Sequence, residues 1–183
     1  MLKWWDKIVR YFYNRSLRER LKEFSRLHAI INLKDAKTVG IIYDSTLPAN
    51  DTVIAEFAAR LRNQGKTVEV LGFVNDKKIT AKPDVPIFNK KVVSWALVPT
   101  DEKALQFAGK NFDLLLACFT TESLPLEYVS CISKARWRVG HYNPAKTDCY
   151  DMMINMGNKT ELPYFIDQAT QFLNKIEYDT VKA

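Results

Sequence analysis

Three short polar segments carry the residues of this chain whose types suit ligand binding or catalysis. Each segment follows a run of aliphatic and β-branched residues that is typical of a buried strand. In an open parallel sheet, such segments meet beyond the carboxyl ends of the strands, where ligands bind. The candidate ligand-binding residues in these segments are Asp44, Ser45, Thr46, Asn50, Thr120, Thr121, Glu122, His141 and Asn143.

These side chains are compatible with two kinds of role. Asp44 and His141 would form an acid–base pair if their loops converge in the fold. Polar residues after strands also supply loop hydrogen bonds and helix caps, as Asn50 or Asp51 would for a helix beginning near residue 52. The sequence favours the loop and cap roles, and no catalytic residue is assigned from it.

The nucleotide and hydrolase motifs that often accompany such folds are missing. No G-x-G-x-x-G follows the first strand, no G-x-x-x-x-G-K-[ST] occurs, and the chain has only six glycines. There is no G-x-S-x-G elbow either. The only histidines are His28 and His141, and no Cys or His pair has metal-ligand spacing. We therefore expect no cofactor and no metal.

The cysteines predict a reducing environment. Cys118, Cys131 and Cys149 are an odd number at wide spacing, which is typical of reduced thiols in a cytosol. Cys118 lies in an apolar strand pattern and Cys131 in a helix pattern. We expect both thiols to be buried and inert.

The elements that position these residues alternate between strand and helix patterns. The sequence predicts strands over 37–43, 67–74, 92–98, 112–119, 136–142 and 150–155, and helices over 52–63, 100–109, 126–134 and 163–176. Residues 75–91 are polar, contain two prolines and predict a long excursion. The predicted fold is a three-layer α/β sandwich with an open, mostly parallel sheet, Rossmann-like or flavodoxin-like, formed by residues 37–183.

A basic arm, residues 1–36, precedes this domain. The first 37 residues hold ten of the 27 Lys/Arg but only four of the 21 Asp/Glu, which leaves 17 of each for the remaining 146 residues. The sequence predicts a helix over 2–14 and a second over 17–32. A bend at Asn14 separates them, and a capping box of Ser16 and Glu19 begins the second. The second helix carries an apolar stripe for the domain's own sheet, formed by Leu17, Leu21, Phe24, His28 and Ile31.

The residue pattern of the first helix of the arm predicts that this helix binds a surface. A basic face opposite tryptophans is typical of a helix in an anionic membrane interface or in a partner's groove. The residues that would form this surface are Trp4, Trp5, Lys3, Lys7, Arg10, Phe12 and Arg15. Packing of this helix on its own domain is an equally weighted alternative.

The hypothesis for function is a non-catalytic binding module that docks on a partner protein or an anionic membrane surface through residues 1–15. A small-ligand-binding domain or enzyme with its site at the strand ends is one alternative. RNA or ribosome association ranks lower, because the body is neutral and has no RNA-recognition motif. Self-association through the first helix is a further alternative. The expected location is cytoplasmic, or peripheral at the inner face of the membrane.

Several sequence segments resemble an uncharacterised bacterial domain-of-unknown-function family. They are 39–44, 65–74, 94–95, 112–116, 125–128, 135–140 and 150–154. The resemblance covers nearly the whole chain, includes the basic helical start and implies no activity. Residues 112–142 are also similar to part of the acceptor half of heptosyltransferase-type glycosyltransferases, which implies a shared fold rather than a shared reaction.

Overall fold

In a computed structural model, the chain forms an open six-stranded sheet with helices on both faces. The structure describes residues 2–22, 26–78 and 85–177. The strands are β1 Thr38–Asp44, β2 Thr67–Val74, β3 Ile87–Asn89, β4 Leu114–Cys118, β5 Trp137–His141 and β6 Met152–Ile154. The helices are α1 Leu2–Lys22, α2 Pro48–Asn63, α3 Glu102–Ala108, α4 Leu124–Cys131 and α5 Leu162–Lys175, with short 3₁₀ helices at Lys90–Val92 and Pro144–Lys146.

The strand order is β3-β2-β1-β4-β5-β6, and every strand pair is parallel. The order reverses between β1 and β4, which opens a crevice at the carboxyl ends of these two central strands. This confirms the predicted α/β class and identifies the sheet as Rossmann-like.

Two hydrophobic cores lie on opposite faces of the sheet. Along β1, Ile41 packs into one core with residues of α2 and α5. The next residue, Ile42, packs into the other core with residues of α1, α3 and α4. Because successive side chains of a strand point to opposite faces, a sheet covered on both sides needs continuous apolar strands. This explains the unbroken apolar runs of β1 and β4.

Most predicted elements are present near their predicted positions, but two local predictions were wrong. The strand predicted at 92–98 is absent, and β3 lies instead within the segment predicted as an excursion. A bridge between Val93 and Pro99 closes a turn there, with Leu97 in the left-handed region at φ 59°. Helix α2 begins at Pro48 without a side-chain cap, so neither Asn50 nor Asp51 is its N-cap.

The predicted two-helix arm was also wrong. Helix α1 continues through Asn14 without a bend, and residues 26–32 are not helical. Val9, Tyr13 and Leu17 are buried along α1 at a spacing of four, so packing on the body keeps the helix continuous. The hydroxyl of Ser16 lies 3.1 Å from that of Tyr128 instead of capping a helix.

The rest of the predicted second helix is an irregular segment of the body. Ile31, Leu33 and Ala36 belong to the α2–α5 core, so this core includes residues assigned to the arm. His28 is exposed rather than buried. Phe24 lies outside the described residues.

The prediction of reduced thiols was wrong for two of the three cysteines. Cys131 and Cys149 form a disulfide, 18 residues apart in the chain. They pair because the chain between them leaves α4, forms β5 and returns through the 3₁₀ helix Pro144–Lys146. Cys118 is free and buried, as predicted. Burial raises the pKa of its thiol well above its usual range, so it is not poised as a nucleophile.

Asp113 connects the start of β1 to β4 and gives a testable pH dependence. Burial raises the pKa of its carboxyl. Hydrogen bonds to the carboxylate outweigh that effect and hold this pKa below its usual range. Their donors are the backbone amides of Lys37 and Thr38, the Thr38 hydroxyl and Arg136. Its Oδ2 accepts from these two amides at 2.9 and 3.0 Å.

We expect Asp113→Asn to lower the free energy of unfolding at neutral pH by about 1–2 kcal/mol. A lowered folded pKa stabilises the protein above the unfolded value of about 3.9, and this stabilisation is lost as the pH falls through the folded pKa. In urea titrations, the difference in the free energy of unfolding between wild type and variant should therefore become smaller at acidic pH. A gap that is constant with pH would contradict this assignment.

Candidate functional site

A cavity of about 230 Å³ lies at the carboxyl ends of β4 and β5, next to the crevice between β1 and β4. Two of the three predicted polar segments meet there. The predicted residues that line it are Thr120, Thr121, Glu122, His141 and Asn143. Sequence reasoning did not identify the others, which are Phe119, Glu127, Tyr142, Lys146 and Tyr150.

The first polar segment does not reach this cavity. Asp44 lines a neighbouring cavity of about 320 Å³ that shares Thr121 and Glu122 with the first. Asp44 and His141 therefore line different cavities. The structure does not assemble the acid–base pair that the sequence suggested.

Ser45, Thr46 and Asn50 have structural roles in the loop after β1. The Ser45 hydroxyl donates to Asp51 at 2.5 Å. Thr46 Oγ1 accepts from the Asn75 amide at 2.9 Å, and Asn50 Nδ2 donates to the Asp44 carbonyl at 2.8 Å. These contacts hold the loop against β2 and α2, and none of the three residues lines either cavity.

A buried ion pair forms one wall of the 230 Å³ cavity. Glu127 of α4 and Lys146 of the 3₁₀ helix approach to 2.8 Å, with side chains that are only 5% and 13% exposed. The Lys146 ammonium also lies over the Tyr13 ring of α1, 5.1 Å from its centroid. A single acid within the otherwise apolar α4 was the one signal in the sequence for this pair.

Two further groups of the cavity, His141 and Tyr150, are uncharged at neutral pH. Burial lowers the pKa of His141 below its usual value, so its ring is neutral. Burial also raises the pKa of Tyr150 well above its usual range, so its phenol keeps its proton. The Tyr150 ring packs on the backbone of Gly140, where a Cβ atom would come within 2.5 Å of it. The cavity thus combines one ammonium, carboxylates and neutral hydrogen-bonding groups.

A second candidate site is an exposed aromatic patch, formed by Trp4, Trp5, Tyr11, Phe12 and Trp95. Its side chains are between 40% and 70% exposed. The Trp95 ring lies 6.1 Å from that of Trp5 and 5.0 Å from that of Phe12, centroid to centroid. Helix α1 and the turn after Val93 therefore build one surface together. The sequence identified Trp4, Trp5 and Phe12 but not Tyr11 or Trp95 as parts of it.

Two basic residues of α1 form ion pairs with carboxylates of the described residues. The helix carries seven Lys/Arg and two Asp/Glu. Arg10 binds both carboxylate oxygens of Glu122 at 2.9 Å, and Arg15 pairs with Glu19 at 3.1 Å. Lys7 is exposed, and Lys3 lies in the first turn. The Arg10–Glu122 pair joins the helix to the rim of the cavity.

The parallel sheet, its strand order and a crevice at the switch point define an α/β protein of the Rossmann-like class. Within that class, the chain belongs to a family of unknown function, DUF6913, whose model matches residues 6–176. No curated protein matches the chain.

One solved structure to which the chain is similar is the glycosyl transferase family 9 protein from Veillonella parvula, with 11% identity and a TM-score of 0.42. The match covers 75% of this chain and 41% of that one, so the chain spans about two fifths of that protein's length. This similarity carries no inference about activity.

The described residues hold neither a membrane-spanning helix nor a metal-binding cluster. No helix there combines the length and apolar content that crossing a bilayer demands. No cluster of three or more His, Cys, Asp or Glu residues suited to a metal ion occurs in the same part of the chain.

Proposed function

We propose that this protein is a peripheral membrane protein that docks on an anionic lipid surface through α1. The observation that carries the proposal is the aromatic patch, five large exposed side chains from two separate elements, four of which are joined by ring contacts. Contiguous apolar surface of this kind on a folded protein is typical of an interaction site.

The buried residues of α1 show which side of the helix packs on the body and which side is left exposed. Tyr13 and Leu17 pack into the same core as Phe112 and Leu115. Trp4 and Trp5 stay outside, at 70% and 53% exposed. One side of α1 is therefore packed against the body of the protein. The two tryptophans of α1 lie on another side, which is exposed and available to a membrane.

The chemistry of the patch favours lipid over a protein groove. Tryptophan and tyrosine prefer the interfacial region of a bilayer, where an aromatic body and a polar N–H or O–H are both accommodated. The net charge of +5 on α1, from seven basic and two acidic residues, complements anionic headgroups. Each basic residue near such a surface contributes about 1 kcal/mol. Stable peripheral attachment needs an apolar and a basic signal together, and α1 supplies both.

Sedimentation with vesicles tests this proposal. The full chain should bind phosphatidylcholine vesicles that contain phosphatidylglycerol, bind pure phosphatidylcholine vesicles far less, and lose binding as salt is added. The double variant Trp5→Ala/Trp95→Ala should bind at least about tenfold more weakly, because two large apolar side chains no longer enter the interface. The matched control is Phe172→Ala on α5, which removes an exposed aromatic side chain outside the patch.

Three outcomes would contradict lipid docking. They are no binding of the full chain to anionic vesicles at low salt, an equal loss of binding in the control and the double variant, and binding that is independent of lipid charge. Failure on vesicles with retained binding to a purified protein or to RNA would assign the patch to that partner instead.

A further inference from the structure

We infer that the 230 Å³ cavity at the ends of β4 and β5 binds a small zwitterion, a molecule with one carboxylate and one ammonium group such as a free amino acid. The inference concerns a different surface from the aromatic patch and does not depend on membrane docking. It rests on the position of the cavity, its size and the charges of its wall.

The cavity lies at the carboxyl edge of the sheet, which is the edge where this architecture binds ligands. It lies beyond the carboxyl ends of β4 and β5, beside the point at which the strand order reverses. Its volume of about 230 Å³ is below the roughly 300–1,000 Å³ of sites for drug-sized ligands. A nucleotide or an oligosaccharide is therefore too large, and a molecule with few non-hydrogen atoms fits.

The buried ion pair of this wall is incompletely satisfied. Glu127 Oε2 is buried and lies 2.8 Å from the Lys146 ammonium, yet the direction of approach does not make a hydrogen bond. The two charges still neutralise each other at this short distance, because Coulomb attraction depends little on angle. The missing hydrogen bond matters for the ligand, because the carboxylate oxygen can still accept from a donor.

The balance of charge selects the ligand class. An anion alone would draw Lys146 away from Glu127 and leave that carboxylate buried without a counter-charge, which is unfavourable. A cation alone would draw Glu127 away from Lys146 and leave the buried ammonium without a counter-charge, which is equally unfavourable. A zwitterion presents its carboxylate to Lys146 and its ammonium to Glu127, so both buried charges keep an opposite charge beside them.

Neutral groups complete the site around this pair. Thr121, His141 and Tyr142 line the same cavity and offer hydrogen bonds without changing its charge. Glu122 at the rim is bound to Arg10 through both carboxylate oxygens, so its charge is compensated. The wall as a whole is balanced, as a ligand of zero net charge requires.

The two histidines of the chain provide a direct test. His141 lines the cavity, whereas His28 has a side chain 60% exposed and lies outside it. The ring C–H signals of the two residues can be followed by NMR and assigned with His28→Asn. Glycine, alanine, serine, threonine and β-alanine are titrated as probes, with propionate and ethylamine as singly charged controls.

At least one of these amino acids should shift the His141 signal in a saturable manner and leave the His28 signal in place. Propionate and ethylamine should bind at least tenfold more weakly. The double variant Glu127→Gln/Lys146→Met, which removes both charges and leaves neither unpaired, should lose the shift while its thermal unfolding remains cooperative.

The inference is overturned if none of the five amino acids shifts His141 at millimolar concentration, or if a singly charged control binds equally well. It is also overturned if the double variant still responds. Because the titration contains no vesicles and should be unchanged in Trp5→Ala/Trp95→Ala, its result is independent of the docking proposal.

Discussion

Replacing Asp151 by alanine is expected to lower the free energy of unfolding by about 3–5 kcal/mol, because removal of one partner leaves buried charges uncompensated. The Asp151 side chain is only 5% exposed and forms an ion pair with Arg26, which is 12% exposed. Asp151 Oδ2 also accepts from the Arg138 backbone amide at 2.7 Å. The Arg138 guanidinium lies 3.9 Å from the same oxygen.

Two buried guanidiniums depend on this single carboxylate. The pKa of Arg138 is lowered to about 10, mainly by burial and also by the nearby charge of Arg26, while the Asp151 carboxylate acts in the opposite direction. Arg26 also donates to the carbonyls of Ala135 and Arg136 at 3.1 and 3.2 Å. Asp151 therefore holds the segment after α1 against β5 and β6.

Urea unfolding followed by tryptophan fluorescence measures this effect. Asp148→Ala is the matched control, since Asp148 is exposed and its substitution changes the net charge by the same amount. We expect the control to stay within about 0.5 kcal/mol of wild type. Equal effects of the two variants would show that net charge, rather than the buried pair, determines the loss.

Removing the Cys131–Cys149 disulfide is expected to cost about 3 kcal/mol, because a loop of this size restricts the unfolded chain. The bond closes a sequence separation of 18 residues. For a domain of this length, the melting temperature should fall by about 6–12 °C. The measurement compares wild type with Cys131→Ser/Cys149→Ser by scanning calorimetry, with and without reductant.

The double variant provides its own control. Reductant should lower the melting temperature of wild type and leave that of the variant unchanged, because Cys118 is not paired. The bond would be contradicted if reductant left the melting temperature of wild type unchanged and the unfolded wild type had three thiols that react with a thiol reagent. The disulfide also joins α4, which carries Glu127, to the segment that carries Lys146. Weaker zwitterion binding under reductant is therefore expected as well.

Much of the architecture was predictable from local patterns. The run Thr38–Asp44 is apolar on both faces and was recognised as a strand covered on both sides. Helix α5 was recognised from its apolar periodicity. Both signals depend on neighbours within one element, which the sequence displays directly. The position of three polar segments after strands was equally local, and two of the three meet at the cavity.

The candidate sites required the tertiary structure. Trp95 joins Trp5 and Phe12 only because a turn after β3 lies beside α1. Lys146 reaches Glu127, and Cys149 reaches Cys131, because β5 returns the chain to α4. The continuity of α1 was decided by the packing of Tyr13 and Leu17 on the body, which outweighed the local capping signal at Ser16.

The sequence by itself thus determined the fold class, most of the strands and helices, and the basic, aromatic character of the start of the chain. The tertiary structure alone decided which aromatic rings form one patch, which cysteines are bonded and which charges share a wall. The physical reason is that composition and periodicity are properties of adjacent residues. Pairing between residues distant in the chain is set by strand order and helix packing, which no single segment encodes.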